Sequence, residues 1–343
     1  MKHHLNTLFI FTQDAYLAKE GDAVAVRVDQ TVKLRMPVHN LAGIVCFGRV
    51  GASPRLMALC AEQGVSISFC TEHGRFLARV AGFTPGNVLL RREQYRWADD
   101  PVRSAGVARS MLLGKLANAR AVLLRAGRDH ADPDATAPLA AAADRLSTSI
   151  PLFHRAGSTD SLRGLEGDAA NTYFGVFPHL IRARDPAFAF THRSRRPPLD
   201  RVNALLSFLY AMLAHDARAA CESTGLDAAV GFLHVDRPGR PGLALDLMEE
   251  FRPFLADRLA LSMINTGQVK PSGFKITESG AVEMTEATRK TVVAAYQLRK
   301  QETLTHPFLD EKTTVGLLVH LQARLLARHL RGDLDAYPPF IWR

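Results

Sequence analysis

The sequence predicts an α+β multidomain protein: a small β-rich N-terminal domain over residues 1–84 and a larger all-α C-terminal domain over residues 85–343. Two observations carry this. The first eighty or so residues break into short β-branched and aromatic runs bounded by turn residues, the pattern of strands. Beyond Gly82-Phe83-Thr84-Pro85-Gly86 the composition turns to Ala, Leu and Arg, in long segments with the 3.6-residue helical period.

In chain order, Thr7 to Thr12, Ala15 to Lys19, Ala23 to Val28, Val32 to Met36 and Gly43 to Phe47 read as strands. Gln13-Asp14, Gly21-Asp22, Asp29-Gln30 and Val38-His39-Asn40 separate them. Pro54 to Gln63 reads as a short helix ended by Gly64, and Val65 to Cys70 and Arg75 to Val80 as strands around a turn at Glu72-His73-Gly74. Helices are expected over Val88 to Trp97, Val102 to Arg128, Pro138 to Leu152, Leu162 to Arg182, Leu199 to Glu222, Leu243 to Ile264, Glu286 to Gln301 and His306 to Leu330. Residues 128–137 read as an exposed loop.

With 343 residues, 47% hydrophobic and 22% charged, the chain has room for two cores and is neither disordered nor fibrous. No uninterrupted apolar run reaches the ~18 residues of a membrane helix, and charged residues come too early in the N-terminus for a signal peptide, so a cytoplasmic protein is expected. Cys46, Cys60, Cys70 and Cys221 form no CxxC pair, which points away from disulfides and zinc-thiolate sites. A net charge of +9 points to a polyanionic partner, nucleic acid before membrane.

The chemistry concentrates between Gly231 and Ala256. His234 ends an apolar run, Pro238, Gly239, Pro241 and Gly242 break the chain, and Leu243, Leu247, Phe251, Phe254 and Leu255 recur at helical spacing. On that helix Asp246 and Glu249, three apart, share one side and can face a cleft together, with Glu250 nearer the apolar edge. On local sequence alone the acids equally suit the positive end of a helix dipole, and His234 a hydrogen-bonded core position. Upstream, Glu166 lies between Gly164 and Gly167 and before small residues, where its carboxylate would sit on closely packed backbone. A helix start capped by Asp168 is the alternative.

Glu166, His234 and Glu249 together would form a mixed oxygen and nitrogen site suited to Mg²⁺ or Mn²⁺, the imidazole favouring Mn²⁺. Such a site polarises a phosphate and activates an attacking hydroxyl. Basic clusters match that substrate: Arg91, Arg92, Gln94, Tyr95, Arg96 and Trp97; His192, Arg193, Arg195, Arg196 and Arg201; and Arg324, Arg328 and Arg331.

Several motifs together resemble one family, the CRISPR-associated spacer integrases (Cas-one), along essentially the whole chain. They are Gly164-Leu165-Glu166-Gly167 leading to Ala169-Ala170 and Tyr173; Arg196-Pro197-Pro198 with Asp200 and Asn203-Ala204; and His234 followed by Asp246-Leu247-Met248-Glu249-Glu250-Phe251-Arg252-Pro253. The last of these and His3-His4-Leu5-Asn6 ahead of Thr7 look most like the subtype I-C branch. The resemblance implies that Glu166, His234 and Glu249 are metal ligands and that Asp246 is a further acidic residue needed for activity. Because Glu250 adjoins Glu249, the third ligand is open between them, with helical spacing favouring Glu249.

The resemblance further implies a homodimer, with the N-terminal domain in dimerisation and partner contacts, that joins the small protein Cas-two and, in this branch, a Cas-four nuclease. The expected reaction is attack of a 3′-hydroxyl of a short DNA duplex on a phosphodiester of a CRISPR repeat. DNA backbone contacts are expected from Arg91, Arg92, Arg193, Arg195 and Arg196. The alternatives are a general metal-dependent nuclease or resolvase on branched or double-stranded DNA, and a DNA-binding scaffold without catalysis.

Overall fold

The computed structural model describes residues 7–41, 43–72, 76–80, 88–129 and 133–342. His73 and Gly74 of the expected turn, the 82–86 stretch and residues 130–132 of the expected loop lie outside them. The chain forms two compact units, Met1–Gly86 and Asn87–Arg343.

The first unit holds two four-stranded sheets. In one, β1 (Thr7–Ile10), β5 (Gly43–Phe47) and β7 (Ser66–Cys70) run parallel in that order, and β8 (Phe76–Val80) pairs antiparallel at the edge. In the other, β4 (Thr31–Pro37), β3 (Ala23–Val28) and β2 (Ala15–Glu20) form an antiparallel meander, closed by the short parallel strand β6 (Val50–Ala52). That three-residue strand was not among the expected elements; a run so short carries no periodicity to read. Helix α1 (Pro54–Glu62) follows, with Ser53 accepting from Leu56 N at 3.2 Å and Pro54 opening its first turn. Leu17, Val24, Ile44, Leu56, Cys60 and Ile67 form a dry core. Every residue of β5 is buried, as a strand with parallel neighbours on both sides requires.

The second unit is helical, as expected, with two small hairpins added: β9 (Phe274–Ile276) with β10 (Val282–Met284), and β11 (Thr303–Thr305) with β12 (Lys312–Thr314). Its helices are α2 (Val88–Asp99), α3 (Pro101–Asp129), α4 (Pro133–Arg155), α5 (Thr159–Gly175), α6 (Arg201–Ser223), α7 (Gly242–Met248), α8 (Arg258–Asn265), α9 (Glu286–Gln301) and α10 (Val315–Leu330).

Three boundaries differ from the sequence expectation. Residues 133–137, expected in a loop, belong to α4, with Pro133 at its first position, where a missing N–H costs nothing. The segment from His306 is not helical until Val315, because Pro307 and the left-handed Asp310 turn the chain into the second hairpin. The segment Leu162 to Arg182 ends as a helix at Gly175 and continues as a 3₁₀ turn over Phe177–Leu180, where Pro178 withholds an N–H.

Helix α3 is the spine, packing against α4, α5 and the turn after α7. The chain beyond α10 returns to it. Buried Asn118 on α3 donates to Glu250 O (2.7 Å) and Phe340 O (2.9 Å) and accepts from Trp342 N (2.7 Å). Glu250 receives Tyr337 OH (2.6 Å), Phe340 N (2.6 Å) and Gln322 Nε2 (3.0 Å). Burial pushes its carboxyl up to about 8, against the pull of those donors. Replacing Asn118 by Ala takes this partner from two buried carbonyls and one half-buried N–H. We expect a loss of about 3 kcal/mol in urea unfolding.

Candidate active site

The expected helix Leu243 to Ile264 is interrupted. After α7 the chain tightens into a 3₁₀ turn at Glu249–Phe251 and widens into a π turn at Arg252–Asp257 before α8 begins. Pro253 has no N–H for the ladder, and π turns of this kind disrupt regular α spacing. Asp246, Glu249 and Glu250 are all buried, and each has contacts of its own.

Asp246, with no exposed surface, turns to the loop that carries His234. Its Oδ2 accepts Phe232 N (2.6 Å) and Leu233 N (2.9 Å), while Oδ1 accepts His234 N (3.0 Å) and stands 2.5 Å from His234 Nδ1. An ionised carboxylate at Nδ1 makes that nitrogen the donor and leaves Nε2 with a free lone pair. Arg163 on α5 fixes the same loop by donating to Leu233 O at 2.7 Å. Two glycines permit the approach. A Cβ on Gly231 would stand 2.6 Å from Asp246 Oδ2 and 2.8 Å from Gly242 C, and one on Gly242 2.6 Å from Ala229 O.

Glu249, 3% exposed, turns to α3 instead. Its Oε1 meets Arg252 Nη2 at 3.0 Å, and its Oε2 lies 2.7 Å from Lys115 Nζ. The same ammonium pairs with Glu166 on α5. Among the described residues Oε2 has the Lys115 ammonium as its ion-pair partner, and with two lone pairs this buried oxygen keeps accepting capacity. Burial opposes ionisation of Glu249, but Arg252 and Lys115 outweigh it and hold the carboxyl at about 2. Lys115 is half-buried, and the two glutamates raise its pKa against the desolvation there.

Glu166 is mid-helix in α5, which Ser158 caps by accepting Ser161 N, so neither Glu166 nor Asp168 serves as the cap. Asp168 pairs with Arg145 on the surface. Gly164 and Gly167 face open space, so the closely packed backbone expected around Glu166 is absent.

Among the described residues no three His, Cys, Asp or Glu side chains stand close enough to hold a metal ion in this arrangement. Two carboxylates nevertheless converge on one positive charge, the Lys115 ammonium, and His234 acts electrostatically on Glu249. Oxygen donors gathered around a cation, one of them with spare capacity, suit a hard divalent ion. Glu250 is excluded from such a set because both its oxygens are taken by the C-terminal segment.

A cavity of about 30 Å³ opens beside this pair, room for one or two waters, with Lys115, Glu166, Tyr210, Arg195, Arg252 and Asp257 on its walls. Arg252 lies over the Tyr210 ring (4.9 Å), and Tyr210 OH donates to Asp257 (2.7 Å). Lys115 was missed at the sequence level, although a signal existed: in an arginine-rich chain it is the sole lysine between Lys33 and Lys270.

The arginines expected to contact DNA divide into two kinds. Arg92, Arg195 and Arg196 are exposed. Arg91 donates to Gly225 O, and Arg193 is spent on Ser194 O, Asn203 Oδ1 and Ser207 Oγ. The Arg-Pro-Pro motif leads to Asp200, which caps α6, and buried Asn203 donates to His192 O at 2.8 Å, so that motif shapes the loop bearing Arg195.

Burial raises the Asp257 carboxyl to about 6, more than its Tyr210 hydrogen bond and neighbouring arginines lower it. The folded state therefore holds this proton more tightly than the unfolded chain, and the associated stability is complete below about pH 4 and lost as pH rises through about 6. Thermal midpoints of wild type and Asp257→Asn should accordingly converge or cross between pH 4 and 7, with wild type losing ground as pH rises.

Comparison with known proteins accords with this geometry. The family described as CRISPR associated protein Cas1 matches residues 8–298. A Chlorobaculum tepidum protein named CRISPR-associated endonuclease Cas1 1 is 55% identical over 343 residues, all of both chains. A Geobacter sulfurreducens CRISPR-associated exonuclease Cas4/endonuclease Cas1 fusion is 34% identical over 98% of this chain and 60% of its own length. Among solved structures, the Cas1 protein TM1797 from Thermotoga maritima superposes with a TM-score of 0.83 at 22% identity, covering 97% of this chain and 98% of its own. A casposase bound to integration product gives 0.84 at 20%, over 98% and 94%. A Cas6-RT-Cas1–Cas2 complex gives 0.83 at 22%, over 100% of this chain and 36% of that one. At such identities the structures show a shared fold, and the sequence matches carry the family: the chain belongs to the CRISPR-associated Cas1 proteins.

Proposed function

We propose that this chain is a metal-dependent DNA endonuclease and integrase that inserts short DNA into a CRISPR array, with Glu166, His234 and Glu249 holding Mg²⁺ or Mn²⁺. The observation that carries the site is the convergence of Glu166 and buried Glu249 on one cation, beside a loop whose histidine is oriented by Asp246. Acids that only cap helices, as a scaffold would have, are not found in these positions.

Asp246 holds His234 in the tautomer that presents Nε2, and Arg252 fixes the Glu249 carboxylate in its ionised form. When bound, the metal supplies Lewis-acid polarisation of the scissile phosphate and lowers the pKa of the attacking hydroxyl. A 3′-hydroxyl forms the new P–O bond and the displaced strand leaves as a 3′-hydroxyl; water in the same place gives hydrolysis. Lys115 and Arg252 put positive charge where the phosphate gains negative charge. Exposed Arg92, Arg195 and Arg196 hold the DNA backbone, and Arg91 and Arg193 shape the loops beside them.

The Cas4 fusion and the Cas1–Cas2 complex support assembly with Cas-two and Cas-four partners. The protein acts as a homodimer in the cytoplasm, with residues 1–84 in dimer and partner contacts. No helix among the described residues is long and apolar enough to cross a membrane.

The test uses a duplex with 3′ overhangs, a repeat-containing plasmid, Cas-two and Mn²⁺. Joined product should form with wild type, vanish with EDTA, and fall at least about a hundredfold in Glu166→Gln and His234→Ala. Glu250→Gln should keep joining activity while lowering the thermal midpoint. Equal joining by Glu166→Gln would refute the metal-site assignment, absence of both joining and cleavage in wild type would restore the scaffold reading, and cleavage without joining would leave only the nuclease.

A further inference from the structure

On the side of α3 away from Lys115 lies a second cavity, of about 340 Å³, lined by Arg120, Ala121, Leu124, Arg125, Arg128 and Trp342. Among the described residues, the charged groups lining it are all guanidinium groups. Asn118 fixes the backbone of Trp342, and Arg258 and Arg125 approach its ring at 4.0 Å and 5.4 Å. Arg120 Nε and Arg258 Nη1 are buried without a hydrogen-bond partner among the described residues. The arginines also act against one another: burial, then Arg299 and Arg125, push Arg258 down to about 10. Glu302 beside Arg299 is the acid that offsets part of this charge.

A cluster of like charges with unpaired donors is relieved by an anion. The size and wall of the cavity narrow the choice. A free phosphate needs neither so large a volume nor the apolar surface of Leu124, Ala121 and the indole. A duplex offers its phosphates but keeps its bases stacked inside. An unpaired nucleotide offers a phosphate and an aromatic face together, and cavities of this volume suit ligands of that size.

We propose that this cavity holds one unpaired nucleotide of a DNA strand, its phosphate on Arg120, Arg125 and Arg128 and its base against Leu124 and Trp342. The inference rests on the DNA reading above and adds a second strand contact, on the opposite face of α3 from the candidate active site.

Fluorescence anisotropy of the full chain with labelled oligothymidylate, and with a blunt duplex of equal length, tests it. Arg125→Gln/Arg128→Gln should weaken single-strand binding about tenfold and reduce the salt slope by about one, because each lost phosphate contact on a single strand contributes roughly 0.7. Trp342→Leu should weaken it similarly without changing the slope. Duplex affinity should hold in both variants. Equal losses for duplex and single strand, or no loss for either, would overturn the proposal. So would displacement of the oligonucleotide by inorganic phosphate at constant ionic strength, which marks a plain anion site. Metal-dependent joining by a protein whose single-strand affinity is untouched by these changes defeats this inference alone; absence of joining in wild type defeats the functional reading instead.

Discussion

A buried carboxylate between two half-buried cations is the interaction on which the helical unit depends. Removing Glu249 from water without partners would cost several kcal/mol, and the unit supplies Arg252 from the following turn and Lys115 from the middle of α3. This demand explains the architecture around it. Helix α3 must pass under the turn after α7, and α5 must place Glu166 on the far side of the same ammonium. On the helix before that turn, Asp246 takes His234 as its partner while Glu249 takes Lys115 and Arg252.

The three neighbouring acids divide into three tasks. Asp246 organises the histidine loop through three backbone donors and the imidazole. Glu249 stays ionised between Arg252 and Lys115. Glu250 anchors the C-terminal segment through Tyr337, Gln322 and the Phe340 amide. Substitutions in the C-terminal segment therefore act one residue away from the candidate metal site. The segment also places Trp342 at the second basic cavity, so one polar network supports both faces of α3.

Much of this was legible in the sequence. Strands β1 to β5 and the long helices follow from periodicity and turn residues, and Glu166, His234, Asp246 and Glu249 stood out as a set of chemistry-bearing types. What escaped has identifiable causes. Strand β6 and the two hairpins are three-residue runs, too short for a period. The 3₁₀ turn at Glu249 and the π turn around Pro253, which interrupt the expected helix, leave no mark in helical spacing. Lys115 lies in the middle of an amphipathic helix far from every motif, and only its isolation among arginines marked it. The sequence marks Arg193 by type alone and does not show that its two terminal nitrogens are held by Ser194, Asn203 and Ser207.

The central claim is that the Lys115 ammonium stands where Glu166 and Glu249 would share a divalent ion. It is tested most directly by Mn²⁺ titration calorimetry on wild type and Lys115→Met, with thermal midpoints taken before and after metal. The variant should unfold earlier without metal, because two carboxylates then face one another uncompensated, and it should bind Mn²⁺ more tightly and gain more in midpoint, because no ammonium has to be displaced. A Lys115→Met protein that matches wild type in both midpoints, or binds Mn²⁺ more weakly, would show that these carboxylates are a structural ion pair and not a metal site.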